Sequence, residues 1–221
     1  MGTGFSIDTP LRVARYGISS VISLVDDVLI EQIRKVYCKK EGEPYEEIKC
    51  SDDDARARRI KEYLNLVDRI VKRQVKQLQA SPFEENSEIS KYYEMLPDGE
   101  LKNKYTAMLV LPEGEDKTSK QDELRELAVP GSIDVNIMTK LDKPNFSNGH
   151  TLPDEFNDAL SALRGYGESN LKSAIVFSAG LNKQLYNYMT KFKDFFADTN
   201  NNLKKKIVLK VSDYRSALIQ G

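Results

Sequence analysis

The chain has 221 residues, 40% of them hydrophobic, which suits one α/β domain with a sizeable core and excludes a largely disordered protein. Its 33 Lys and Arg nearly balance 34 Asp and Glu, so the net charge of −1 gives no electrostatic basis for binding nucleic acid or an anionic membrane. No segment approaches the roughly 18 consecutive apolar residues of a membrane span, and the N-terminus lacks a secretory signal; Cys38 and Cys50, without CxxC spacing, indicate a reducing cytoplasm and no structural zinc.

In chain order, Phe5 to Ile7 is expected as an opening strand, with Thr9-Pro10 as cap and first-turn proline of a helix that Gly17 stops. Ser20 to Val25 is rich in β-branched residues and predicts a buried strand. It is followed by Asp26-Asp27 and a helix over 28–40 with apolar positions at Leu29, Ile30, Ile33, Val36 and Tyr37. Composition then turns charged and helical, and residues 41–127 are expected to form a helical insertion. Within it, Ser51 to Asp54 reads as a capping box. Ile60, Tyr63, Leu64, Val67, Ile70, Val71, Val75 and Leu78 trace one apolar stripe along a long helix, which either packs on its own domain or offers a surface for a protein partner or self-association. Ser81-Pro82 ends that helix, Glu88 to Met95 is a second, Lys104 to Leu111 is a strand or short helix, and Pro112 to Lys120 is a polar loop.

After Pro130-Gly131 the pattern becomes strand then helix: SIDVNIMTK, a long loop, a helix from Pro153 through Leu163, SAIVFSAG, LNKQLYNYMTKF, and finally KIVLKVSDYRSALIQ. Five such units in one order without hairpin signals predict a parallel sheet. The expected fold class is α/β, with parallel βα units of a TIM (β/α)8 barrel in a single domain over 1–221. An open doubly wound sheet has the same rhythm, but the first loop, SIDTP, lacks the GxGxxG turn of a dinucleotide site. Because five units are too few for a closed barrel and the sequence ends in mid-helix, the chain is expected to be the front part of a longer protein, incomplete at its C-terminus.

Three segments resemble the flavin-dependent nitronate monooxygenase (2-nitropropane dioxygenase) family and its relative, the flavin enoyl-acyl-carrier-protein reductase: VNIM at 135–138, IVFSAGLNKQLYNYM at 175–189 and KKIVLKVSDYRSALIQ at 205–220. The resemblance covers Val135 to Gln220, loosely also Phe5 to Val25, and not the helical block. It implies an FMN-dependent oxidoreductase, a flavoprotein monooxygenase acting on a small-molecule or acyl substrate, with FMN contacted by Asn136 and Lys210. Ser178, Ala179 and Gly180 line the cofactor or substrate face, and Ser212 either binds ligand or caps the helix that follows. The residue chemistry agrees: Asn136 offers amide donors and an acceptor, and Lys210 a positive charge for a phosphate or an anionic reduced flavin. The family's first loop is glycine-rich where this chain has Asp8, Thr9 and Pro10, and its catalytic histidine segment follows the lysine strand, so no catalytic residue is assigned here.

The remaining candidates have plainer readings. His150 is the only histidine and is expected in a polar loop; the Asp26-Asp27 pair is expected to serve the helix dipole, and the lysine runs at 39–40 and 204–206 to be solvated element ends. No metal site is expected. Two other functions are open: a non-catalytic barrel relative that binds a protein partner through the helical insertion, and a phosphate-ligand or Schiff-base barrel enzyme using Lys210.

Overall fold

The computed structural model describes residues 6–24, 27–137, 154–178 and 193–210, with Tyr214, Arg215 and Leu218. It gives the backbone alone for Asp27, 154–159, Phe177, Ser178, Phe195, Phe196 and Leu209. The first element is helix α1, Asp8–Ala14, preceded by a buried Ile7 with φ −97° and ψ 11°. Ser6 and Ile7 therefore do not form the predicted strand, and Phe5 lies outside the described residues. Asp8 complements the helix dipole and Pro10 tolerates a first-turn position, so the helix starts ahead of Thr9, which takes a helical place and not a cap. Gly17, at φ +78°, supplies the left-handed residue at the stop, donating its N–H to Ala14 O at 3.0 Å.

Strand β1, Ser20–Leu24, alternates as expected: Ile22 and Leu24 are buried while Val21 and Ser23 are exposed. Helix α2, Asp27–Glu41, turns Ile30, Arg34, Tyr37 and Cys38 inward at i, i+4, i+7, i+8 spacing. Val36 lies off that face and is exposed, against expectation. The next helix, α3, is Ala55–Gln79, and Ser51–Asp54 is a turn and not a capping box. Asp54 is left-handed at φ 52°, which delays the helix to Ala55. The predicted stripe from Ile60 to Leu78 is buried along its whole length.

Helix α4, Glu88–Met95, has its predicted bounds, with Ser87 as N-cap accepting from Ser90 N–H. Of the predicted Lys104 to Leu111 element, residues 104–109 are helical, within α5, Glu100–Leu109, and Val110 and Leu111 lie past its end. The loop expected at 112–120 is only a short turn, because α6 spans Glu115–Leu127. Glu115 and Asp116 stabilise its first turn, while Leu124 alone is buried, so the apolar period that marks a helix in sequence is missing.

Strand β2 is Ile133–Ile137. Helix α7, Asp154–Glu168, runs five residues past the predicted end at Leu163. Strand β3, Ala174–Ser178, the short helix α8, Lys193–Phe196, and strand β4, Lys206–Lys210, complete the described elements. The four strands form one parallel sheet in the order β1-β2-β3-β4, with Asn136 opposite Val176 and Ser178 opposite Lys210. An order without reversal, combined with the right-handed rule for parallel crossovers, sends α7 and α8 to the same side of the sheet.

The chain gathers into two compact units, 1–5 with 21–67 and 134–221, and 6–20 with 68–133, so the 41–127 block is divided between them. In the first, Gly165 of α7 lets that helix approach α3 at Ala57 and Ile60, and Arg164 reaches Asp54 at 2.8 Å. The second is built on aromatic packing: Tyr93 stacks on Tyr105 at 5.2 Å and meets Tyr92 edge-on, and Tyr16, Leu78, Met108 and Leu124 join the same core. Tyr92 Oη donates to Val129 O and accepts from Val129 N–H, and Arg125 closes the end of α3 by donating to Gln79 O and Ser81 O.

Candidate functional site

In a parallel sheet, loops at the carboxyl ends of the strands are where ligands meet side chains. Three of the residues singled out in the sequence come to that end. Asn136 is the penultimate residue of β2, Ser178 ends β3 and Lys210 ends β4. The pleat decides which side each faces. Asn136, Val176 and Val208 share one row across the sheet, and Lys210 is two residues beyond Val208, so Asn136 and Lys210 are on the same face. Two strand spacings across and two residues along put their Cα atoms about 12 Å apart. Ala179, Gly180, Ser212 and His150, like Met138 and Asp26, lie outside the described residues.

Asn136 is 8% exposed, and its carboxamide is only half satisfied. Its Nδ2 donates to Ser23 Oγ at 3.1 Å, while Oδ1 is buried and accepts from no group among the described residues. Buried amide oxygens are paired in the great majority of folded proteins, so an orphan beside a strand end marks a place where another molecule can supply the donor. Ser23 comes from β1 and was not a candidate from sequence. Its signal was the period-2 alternation of SVISL, which puts Ser23 opposite in sense to Ile22 and Leu24 and toward the Asn136 face. Beside it, Asp134 accepts from Ala174 N–H at 2.9 Å and so ties β2 to the start of β3.

Two polar clusters tie other elements of this unit together. Lys205 Nζ donates to Tyr166 O at 2.7 Å, Leu171 O at 3.1 Å and Ser169 O at 3.2 Å, and lies 4.1 Å from the centre of the Tyr166 ring. It therefore caps the carboxyl end of α7, where a cation complements the helix dipole, and is no mere solvated end as expected for the 204–206 run. Burial pushes the Tyr166 phenol up to about 12. In the second cluster, Glu31 accepts from Arg34 at 2.6 Å, Tyr45 Oη at 2.9 Å and Ile48 N–H at 3.1 Å, with Arg59 Nε 3.7 Å away. Burial on its own raises the Glu31 carboxyl. The Ile48, Arg34 and Tyr45 hydrogen bonds outweigh it and hold the group below its ordinary 4.5. Arg59 Nε in turn donates to Ile48 O at 2.8 Å, so this cluster fastens the 43–50 segment to α2 and α3.

What the rim can do chemically follows from its members. It offers one buried acceptor, backbone at the Ser178 position and an exposed cation at Lys210. That set fits a ligand with a polar planar edge at one end and negative charge at the other, which is the make-up of FMN. Among the described residues, no group of three or more His, Cys, Asp or Glu side chains could hold a metal ion, and no helix is long and apolar enough to cross a membrane. No protein-family model, curated protein or solved structure gives a significant match to this chain.

Proposed function

We propose that this chain binds FMN as a flavin-dependent oxidoreductase resembling nitronate monooxygenases, working in a reducing cytoplasm, with the cofactor at the carboxyl rim of β2 to β4 in a TIM-type (β/α)8 barrel. The observation that carries the reading is the orphaned, buried Oδ1 of Asn136 on the same sheet face as the Lys210 cation. The strand order, which never reverses among the described strands, is the order of neighbouring strands in a barrel wall, and neither Cys38 nor Cys50 is in a disulfide. Asn136 would accept a hydrogen bond from the ring edge and Lys210 would bind the phosphate or the reduced, anionic ring. When bound, FMN supplies the capacity to take electrons from a small or acyl substrate and pass them to an acceptor.

The other two functions have less behind them. A Schiff-base enzyme needs an amine desolvated in an apolar pocket, and Lys210 is exposed. Docking of a partner on the long-helix stripe needs that stripe accessible, and Ile60 to Leu78 are buried within the chain.

The test is titration of the purified chain with FMN, followed by flavin fluorescence and visible absorbance. Saturable quenching is expected. Lys210→Ala should weaken it by about 10- to 100-fold, the worth of one hydrogen bond to a charged group. A colourless protein that leaves FMN fluorescence unchanged would overturn the proposal.

A further inference from the structure

We infer that this chain associates with a second copy of itself through two helix faces of opposite charge, the Arg69 to Lys76 face of α3 in one copy seating on the Glu115 to Glu126 face of α6 in the other. The inference is independent of the flavin reading.

Both faces belong to the same compact unit. On α3, Ile70, Val71, Val75 and Leu78 are buried. The opposite side carries Arg69, Lys72, Arg73 and Lys76 at i, i+3, i+4 and i+7, all exposed except the half-buried Arg73. On α6, Leu124 is buried, and the opposite side carries Glu115, Ser119, Asp122 and Glu126 at i, i+4, i+7 and i+11, all exposed.

Lys76 and Glu115 suit the dipoles of their own helices, but the rest of each face does not. Like charges four residues apart destabilise a helix, and Arg69 with Arg73, Lys72 with Lys76, and Asp122 with Glu126 are such pairs. Glu126 is also in the last turn of α6, where the dipole favours a cation. Pairs within the chain offset this only in part: Lys72 meets Asp68 at 2.6 Å, and Arg125 is 3.9 Å from Asp122.

The two faces match in spacing as well as in charge. Arg69 and Lys76 are seven residues apart, as are Glu115 and Asp122, about 10 Å along each helix; Lys72 and Lys76 are four apart, as are Asp122 and Glu126. With a net charge of only −1, copies do not repel one another at long range and a polyanion gains no long-range attraction, so the partner both faces fit is a second copy. Exposed ion pairs contribute little each and are screened by salt, which makes the association weak and salt-sensitive.

The test is sedimentation equilibrium of the full chain at about 10 mM and about 1 M salt, where charges are felt over about 30 Å and about 3 Å. At low salt the mean mass should rise above 25.1 kDa with protein concentration, and at high salt it should return to that value. Two double variants, Lys72→Glu with Lys76→Glu and Asp122→Lys with Glu126→Lys, should each stay at the chain mass at low salt. Mixed in equal amounts they should form a species of twice the chain mass, because the intact α6 face of the first meets the intact α3 face of the second. An original chain that remains at 25.1 kDa at low salt up to its solubility limit overturns the inference and leaves the α3 face to an acidic partner of another kind. Variants, folded by circular dichroism, that associate as the original does, or whose mixture is no heavier than its parts, overturn it equally.

Discussion

Gly165→Ala is a substitution for which two physical effects predict opposite signs. Gly165 lies inside α7, and alanine stabilises a helix interior by about 1 kcal/mol relative to glycine. Against that, a Cβ at this position would stand 2.5 Å from Ala57 O and 2.9 Å from Ile60 Cβ and Cγ2. An ordinary carbon–oxygen contact is about 3.3 Å, so one helix must retreat by about 0.8 Å. The carbonyl is backbone in the first turns of α3, and Ile60 is fully buried, so neither neighbour is the loose end of a side chain. Overpacking of this kind costs up to about 3 kcal/mol, and after the gain in propensity about 2 kcal/mol of destabilisation remains.

The assay is urea unfolding followed by far-ultraviolet circular dichroism, with thermal melts alongside. A loss of about 2 kcal/mol lowers Tm by roughly 4 to 8 °C for a chain of this size. The result that refutes the reasoning is a variant as stable as the original or more so, since that is what helix propensity without close packing predicts.

Two further substitutions address the polar clusters. Lys205→Met removes the ammonium that Tyr166, Ser169 and Leu171 carbonyls share while keeping most of the stem, and should cost about 2 kcal/mol in the same urea assay; a cost below about 0.5 kcal/mol would mean the cap is ornamental. Glu31→Gln removes the carboxylate between Arg34 and Arg59 and should cost about 3 to 5 kcal/mol at neutral pH. Because the folded carboxyl is held below its ordinary 4.5, its contribution is present above that pH and is lost as pH falls through the folded value. The gap between original and variant should therefore narrow as unfolding is measured from pH 6 down past 4.5, and a gap independent of pH would refute the assignment.

Much of this fold was written in local pattern. The α3 stripe and the α4 bounds were readable because one face of each is apolar at helical spacing, and the strand cores of β1 to β4 because β-branched runs are rare elsewhere in the chain. α6 escaped because a helix that buries Leu124 alone has no period to detect. The opening strand failed because Asp8 and Pro10 act on the three residues around them more strongly than an apolar pair can. Gly165 and Lys205 were illegible for a different reason. Each derives its role from a partner distant in sequence, the α3 backbone in one case and the end of α7 in the other. The site divides along the same line. Asn136 and Lys210 carry their chemistry in residue type and strand position, whereas Ser23 matters only through a contact that strand pairing creates.

Lys205 and Lys210 make the distinction sharp, since they lie in one short stretch and differ in nothing but surroundings. Lys205 precedes β4, and its ammonium donates to the carbonyls of Tyr166 in the last turn of α7 and of Ser169 and Leu171 just beyond it, where its charge is consumed. Lys210 is at the other end of the strand, exposed, at the rim that Asn136 shares. A charge already matched by the protein contributes to stability and is unavailable to a ligand; a charge left in solvent contributes little to stability and keeps its full attraction for an anion. The pair should therefore dissociate. Lys205→Met should lower the urea midpoint and leave FMN affinity within about twofold, and Lys210→Ala should do the reverse, shifting affinity by tenfold or more at an unchanged midpoint. If both variants lose stability and affinity together, the rim and its support are one cooperative structure, and Lys210 has no separable role in holding a ligand.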